Sequence, residues 1–194
     1  MMHATSASLL GRMKDGQDDA WGRLVDLYTP LIHRWLTRQG VRADDAQDLA
    51  QDVLAVVVRR FPEFQHNQRV GAFRAWLRTI TVNRVREFWR AKKITPAAHG
   101  GTDFGGLLDQ LEDSDNPLRQ EWDREHDLYV TRRLLAMLEP QFEPKTWKAF
   151  QGFVLEDRPA ADVAASLGMT VNAVFIAKSR VMARLRQEAE GLID

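Results

Sequence analysis

The sequence predicts an all-α protein built as two small helical bundles joined by a flexible linker. Apolar residues recur at three- and four-residue steps along most of the chain, and the two-residue alternation of half-buried strands is nearly absent. Between Thr95 and Asn116 that recurrence stops, and Pro96, Gly100-Gly101, Gly105-Gly106 and scattered acids replace it. Such a composition buries little apolar surface and behaves as a linker. The first bundle is therefore expected over residues 15–94, the acidic linker over 95–120 and the second bundle over 121–191.

The elements follow in order. From Asp18, the residues Trp21, Leu24, Val25, Tyr28, Leu31, Ile32 and Trp35 form one helical stripe. Pro30 is expected to kink or interrupt that helix, and Gly40 to end it. Ala43 to Phe61 is the next helix, with Leu49, Val53, Val56, Val57 and Arg60 in line and Pro62 as its stop. A polar loop, Glu63 to Gly71, follows. Phe73 to Lys93 is the third helix, with Phe73, Trp76, Leu77, Ile80, Val85 and Trp89 on its inner side. Beyond the linker, Pro117 is a candidate helix start. Periodicity returns from Trp122 to Leu138 through Leu128, Leu134 and Leu135. Pro140 and Pro144 bracket a turn, and Lys145 to Leu155 is a further helix carrying Trp147, Phe150 and Val154.

Composition narrows the function classes. There is no cysteine, which excludes a disulfide framework and a thiolate metal site. No apolar run approaches the roughly 18 to 20 residues that span a bilayer. Met1 to Gly11 lacks the basic stretch and apolar core of a secretory signal, so a cytoplasmic protein without a membrane partner is expected. Formal net charge is zero, but the charges are segregated. Asp103 to Asp127 holds nine acids against Arg119 and Arg124, whereas Arg158 to Arg186 holds five bases against Asp162 alone. Arg84 to Lys93 holds five bases against Glu87. Two basic faces separated by an acidic stretch suit a nucleic-acid binder better than the sum suggests.

The segment from Arg158 to Arg186 reads as a helix-turn-helix. Pro159 fits a first turn, and Ala164 is small where two helices cross closely. Gly168 supplies the left-handed backbone of the turn, and Thr170 can cap the second helix. Val163, Leu167, Met169, Val174 and Ala177 are expected to face inward. Asn172, Ala173, Phe175, Ile176, Ser179 and Arg180 then lie on the outer face, with Lys178 at its edge. Such a module places its second helix in the major groove. Asn172 suits adenine, while Lys178, Arg180, Arg184 and Arg186 suit phosphates. Phe175 and Ile176 either meet thymine methyls or are buried by the preceding helices.

In the first bundle, Asp44, Asp48 and Asp52 stand four apart on one helical face. That pattern is a capped, solvated face or a dock for a basic protein surface. The Phe73–Lys93 helix interleaves arginines with aromatics, which neutralise phosphates and stack on bases, respectively. Phe73 and Trp76 are expected in the core, and Asn83, Arg84, Arg86 and Arg90 outside it.

The ordered set Asp48-Leu-Ala-Gln51-Asp52-Val, Arg59-Arg60-Phe-Pro-Glu-Phe, Phe73-Arg-Ala-Trp76-Leu-Arg-Thr-Ile, Asn83-Arg84 and the terminal helix-turn-helix resembles the extracytoplasmic-function sigma factors, the small two-module members of the sigma-70 family. The resemblance covers about residues 15 to 190. It implies a sigma region 2-like bundle followed by a region 4-like one. It also implies that Asp48, Gln51 and Asp52 grip the polymerase. The loop with His66 and Asn67, together with Asn83, Arg84, Arg86 and Arg90, would meet the minus-ten DNA. Thr170, Asn172, Ala173, Phe175, Ile176, Lys178, Ser179 and Arg180 would read the minus-thirty-five element. The implied partners are bacterial RNA polymerase core, promoter DNA and, as for many members, an anti-sigma factor. The chain departs from the family pattern at Thr79-Ile-Thr-Val, which lacks an alanine-rich run, and at Phe175-Ile176, where polar residues are more usual.

Neither an enzyme nor a cofactor is expected. His3, His33, His66, His99 and His126 have no metal-ligand spacing, and no phosphate loop or nucleophile motif is present. A helix-turn-helix regulator acting without polymerase is the competing reading. The aromatic–arginine helix from Phe73 to Lys93 separates the two, because a sensor domain has no use for it.

Overall fold

Helical periodicity in the sequence becomes helix in the structure, a computed structural model that describes residues 8–64, 71–92 and 116–193. Among the described residues the helices are α1 (Leu9–Lys14), α2 (Asp18–Arg38), α3 (Ala43–Arg60), α4 (Ala72–Lys92), α5 (Pro117–Leu138), α6 (Pro144–Phe150), α7 (Ala160–Leu167) and α8 (Val171–Ala189), with no β-strand. Short 3₁₀ turns occupy Phe61–Glu63 and Glu139–Gln141, and one π-helical turn spans Gln151–Leu155. The all-α expectation holds. The chain divides into two compact units, Leu9–Val130 and Thr131–Glu190, so α5 contributes Pro117–Val130 to the first and Thr131–Leu138 to the second. It begins at Pro117, inside the 95–120 segment expected as linker; residues 95–115 of that segment lie outside the described residues.

In the first unit, α1 packs on α2, α2 on α3 and α3 on α4. Both longer leading helices are oriented by charge. Asp18 and Asp19 open α2 and Arg38 closes it, while Asp44 and Asp45 open α3 and Arg59 and Arg60 close it. Each arrangement complements the helix dipole. Leu24, Leu27, Tyr28 and Ile32 of α2 meet Ala46, Ala50, Val53 and Val57 of α3 in a fully buried core, with Phe73, Leu77 and Val85 of α4. Two expectations need correction. Helix α2 runs uninterrupted through Pro30, because Pro30 and Asp26, the residue whose carbonyl loses a donor, are both exposed to water. Val25 is exposed rather than on the stripe; Leu24, Leu27, Tyr28 and Leu31 already fill the buried face.

In the second unit, α6 and α7 both pack against α8. Their shared core is Ala149, Val163, Ala164, Val174 and Ala177, with Phe153, Leu167 and Met169 against it. Val163, Leu167, Met169, Val174 and Ala177 are the inward residues expected from the sequence, and Ala164 is the small residue expected at the crossing; Ala149 and Phe153 join them from the preceding elements. The helix expected over Lys145–Leu155 is instead α6 followed by the π turn. Gly152 in that turn is buried, and a Cβ there would stand 3.1 Å from a methyl of Val163.

Candidate nucleic-acid interface

Helices α7 and α8 meet at 101°, within the range of DNA-binding helix pairs. The turn is specified locally. Gly168 adopts φ 57° and ψ 51°, the left-handed region. Its N–H donates to the Ala165 carbonyl and the Met169 N–H to that of Ala164, at 3.3 and 3.0 Å, which is a Schellman closure. The Lys145 ammonium donates to the Gly168 carbonyl at 3.0 Å and holds the turn from α6. Thr170 caps α8, its Oγ1 accepting from the Ala173 N–H at 3.1 Å. Thr170→Ala is therefore expected to destabilise the second unit by about 1 kcal/mol. A shift in the urea midpoint followed by NMR at the Trp147 indole checks this.

Thr170, Asn172, Phe175, Ile176, Lys178, Ser179 and Arg180 are all exposed, and Ala173 is half-buried. Val174, Ala177 and Val181 occupy the opposite, buried side of α8. Arg184 differs from the sequence reading. Its guanidinium pairs with the buried Glu188 carboxylate at 2.5 Å and donates to Gln141 and Gln187, so it braces the unit internally. Lys148 and Arg158 add exposed cations near the start of the module.

In the first unit, Asp48, Gln51 and Asp52 are exposed together on α3, with Asp44 one turn earlier. Asp45 faces the other way and pairs with Lys92 of α4 at 2.6 Å. On α4, Asn83 and Arg90 are exposed, while Arg84 and Arg86 are half-buried. Arg84 is ion-paired with Glu87 one turn on. His66 and Asn67 lie outside the described residues. Phe64, the last described residue before them, belongs to an aromatic cluster. Phe64 packs on Phe73 and Trp76 with ring centroids 5.7 and 4.8 Å apart, and Trp21, Phe61 and Tyr28 extend the cluster. Gly71, the first described residue after them, adopts φ 71°, and a Cβ there would lie 2.7 Å from the Arg74 guanidinium. Gly71→Ala would therefore strain the backbone and push against Arg74 together.

Sequence reasoning missed a second set of residues. Arg74 and Arg78, counted among the phosphate-seeking arginines of α4, are engaged by α5. Asp123 binds Arg74 at 3.2 Å and Arg78 at 2.8 Å, and Asp127 binds Arg74 at 2.6 Å. At the C-terminal end of α2, Arg38 pairs with Glu121 and Glu125. Trp122 stacks edge-on against Trp35 at 4.6 Å. His126 is buried between the two sets, 3.1 Å from the Tyr28 hydroxyl at Nε2 and 2.9 Å from Asp127 at Nδ1. With the imidazole neutral, Nδ1–H donates to Asp127 and Nε2 accepts from Tyr28.

Burial holds His126 below its ordinary value of 6.5, although Asp127 pulls the other way. Burial also acts to raise Asp127, but hydrogen bonds from His126 and Arg74 outweigh it and leave that carboxyl below its usual range. The sign follows from linkage. A histidine with a depressed folded pKa takes up its proton on unfolding, so its contribution is complete above 6.5 and is lost as pH falls below that value. The first unit is expected to be less stable at pH 5.5 than at pH 7.5, and His126→Phe to flatten that dependence. Urea unfolding at the two pH values measures both.

The Sigma-70 region 2 family model matches residues 24–94, from within α2 to just past the end of α4. An RNA polymerase sigma-E factor of Streptomyces antibioticus is 30% identical over 146 residues, covering 75% of this chain and 71% of that one. The ECF RNA polymerase sigma factor BldN of Streptomyces coelicolor is 33% identical over 92 residues, 47% of this chain; the chain spans only 34% of the length of BldN. A solved RsbN–BldN complex is similar at TM-score 0.34 and 19% identity, covering 91% of this chain and 96% of that one. No single described helix is long and apolar enough to cross a membrane. With a region 2 match across the first bundle and a sigma-E relative aligned over most of both chains, the protein belongs to the extracytoplasmic-function group of the sigma-70 family.

Proposed function

We propose that the chain joins a bacterial RNA polymerase core as its promoter-recognition subunit and directs the start of transcription. The observation that carries this is the occurrence, on one chain, of a region 2 match over 24–94 and a capped helix-turn-helix whose outer face is exposed. A regulator that works without polymerase has no need of the first. Asp48, Gln51 and Asp52 present an acidic α3 face to the core. Asn83, Arg86 and Arg90 line the side of α4 that meets separating promoter strands, with His66 and Asn67 contributed by the neighbouring loop. The α8 face reads duplex DNA upstream. Engagement at two sites on one chain raises the effective affinity without further contacts. The protein contributes binding energy and no bond chemistry, and works in the cytoplasm with the polymerase.

In vitro transcription with purified bacterial core on genomic fragments tests this reading. Discrete promoter-specific transcripts that depend on the protein are expected, and their absence sinks it. The Asp48→Lys, Asp52→Lys double variant should lose core binding by at least an order of magnitude at unchanged thermal stability, because both side chains are exposed. Wild-type affinity in a pull-down would remove the core assignment from α3.

A further inference from the structure

The outer face of α8 is more apolar than a phosphate-binding helix requires. Seven large hydrophobic residues are exposed among the described residues, and three of them, Val171, Phe175 and Ile176, fall in the first two turns of this one helix. Phe175 and Ile176 keep 48% and 44% of their surface, so the preceding helices leave close to half of each uncovered. Phe175 is also held in place. Its ring meets Phe153 edge-on at 5.4 Å and 81°, and the Lys178 ammonium lies over the other ring, 5.2 Å from its centroid. A ring fixed before binding loses little rotamer freedom on contact.

The surroundings identify the occupant. At helical spacing, Asn172, Phe175, Ile176 and Ser179 share one face, and all four are exposed. From Val171 to Arg186 there is no acidic residue, while Lys178 and Arg180 are exposed beside that face. An apolar centre with a cationic border complements an apolar group set among phosphates. In the major groove the C5-methyl of thymine is the only apolar feature a base edge offers.

We propose that Phe175 and Ile176 are specificity-determining residues that read thymine methyls in the upstream promoter element, with Asn172 and Ser179 taking hydrogen bonds from the neighbouring bases. The proposal rests on the promoter-recognition reading and adds to it the chemistry of what is read.

The test uses the full chain bound to bacterial core polymerase. Duplexes enriched from a random library are amplified with unmodified nucleotides, so thymine is the only source of a C5-methyl. Each thymine of the upstream element is then replaced singly by deoxyuridine, and affinity is read by fluorescence anisotropy. Loss of one buried methyl should weaken binding about four-fold at one or two positions. Phe175→Ser and Ile176→Ser should bind the thymine and uracil duplexes equally, each variant erasing the preference at its own position. Enrichment of a defined element with no uracil effect anywhere overturns this inference and leaves promoter recognition standing. Uracil discrimination that survives in both variants also overturns it, because the methyl is then read elsewhere. Failure to enrich any element overturns both.

Discussion

Asp123→Ala will lower the stability of the first unit by about 3 kcal/mol, the low end of the cost of breaking a buried ion pair. The reason lies in the partner left behind. Arg78 is only 6% exposed, and Asp123 is its ion-pair partner at 2.8 Å as well as one of two carboxylates on Arg74. Removing the acid leaves a guanidinium with little access to water. The low end applies because the Asp123 side chain keeps 26% of its surface, so solvent already screens part of the interaction. Urea unfolding by tryptophan fluorescence reads this unit selectively, since Trp21, Trp35, Trp76, Trp89 and Trp122 lie in it and only Trp147 does not. Trypsin should also cut sooner at Arg119 and Arg124 as α5 loosens. The double variant Asp123→Leu, Arg78→Met should recover much of the loss, because it removes both charges at once. A loss below about 1 kcal/mol in the single variant would place the pair among ordinary surface bridges.

The second large effect is expected at Phe73. Its side chain is fully buried, and its ring touches Tyr28, Phe64 and Trp76 with centroids 5.5 to 5.8 Å away. Phe73→Ala removes transferred area and opens a cavity that rings cannot readily close, for a cost of about 4 kcal/mol. Aromatic pairing geometry adds to the loss. Phe73→Leu should cost less than half as much. Because Phe64 directly precedes residues 65–70, which include His66 and Asn67, and rests on Phe73, the alanine variant is also expected to impair promoter opening more than core binding. Permanganate footprinting of melted thymines measures the former and a pull-down the latter. Equal loss of both would mean general unfolding rather than a loop effect.

The helix-turn-helix was legible because its determinants are local. Ala164, Gly168 and Thr170 act within a few residues of themselves, through close packing, a left-handed turn and a side-chain cap. The exposed arc of α8 followed from the same period. Tertiary pairing was less accessible. Arg74 and Arg78 stand four apart on one helix, and Asp123 and Asp127 four apart on another. Both ladders are visible in the sequence, but nothing in spacing says that they face each other across 45 to 53 residues. The acidic stretch therefore reads as a separator between two basic faces, although its last members are counter-ions. Pro30 misled for a related reason. Helix propensity counts a lost hydrogen bond, whereas a 21-residue helix packed along its length absorbs it.

The family match ends at residue 94, yet the ion pairs that close the first unit are supplied from residues 121–127. A fragment cut at 94 would carry Arg38, Arg74 and Arg78 without their carboxylates and would leave the Tyr28 hydroxyl without its histidine. Its excess positive charge would favour indiscriminate adhesion to nucleic acid. The same state arises during translation, when α4 has left the ribosome and α5 has not. For that interval the nascent bundle is a polycation awaiting its own counter-ions, and affinities measured on such a fragment would describe that intermediate rather than the finished protein.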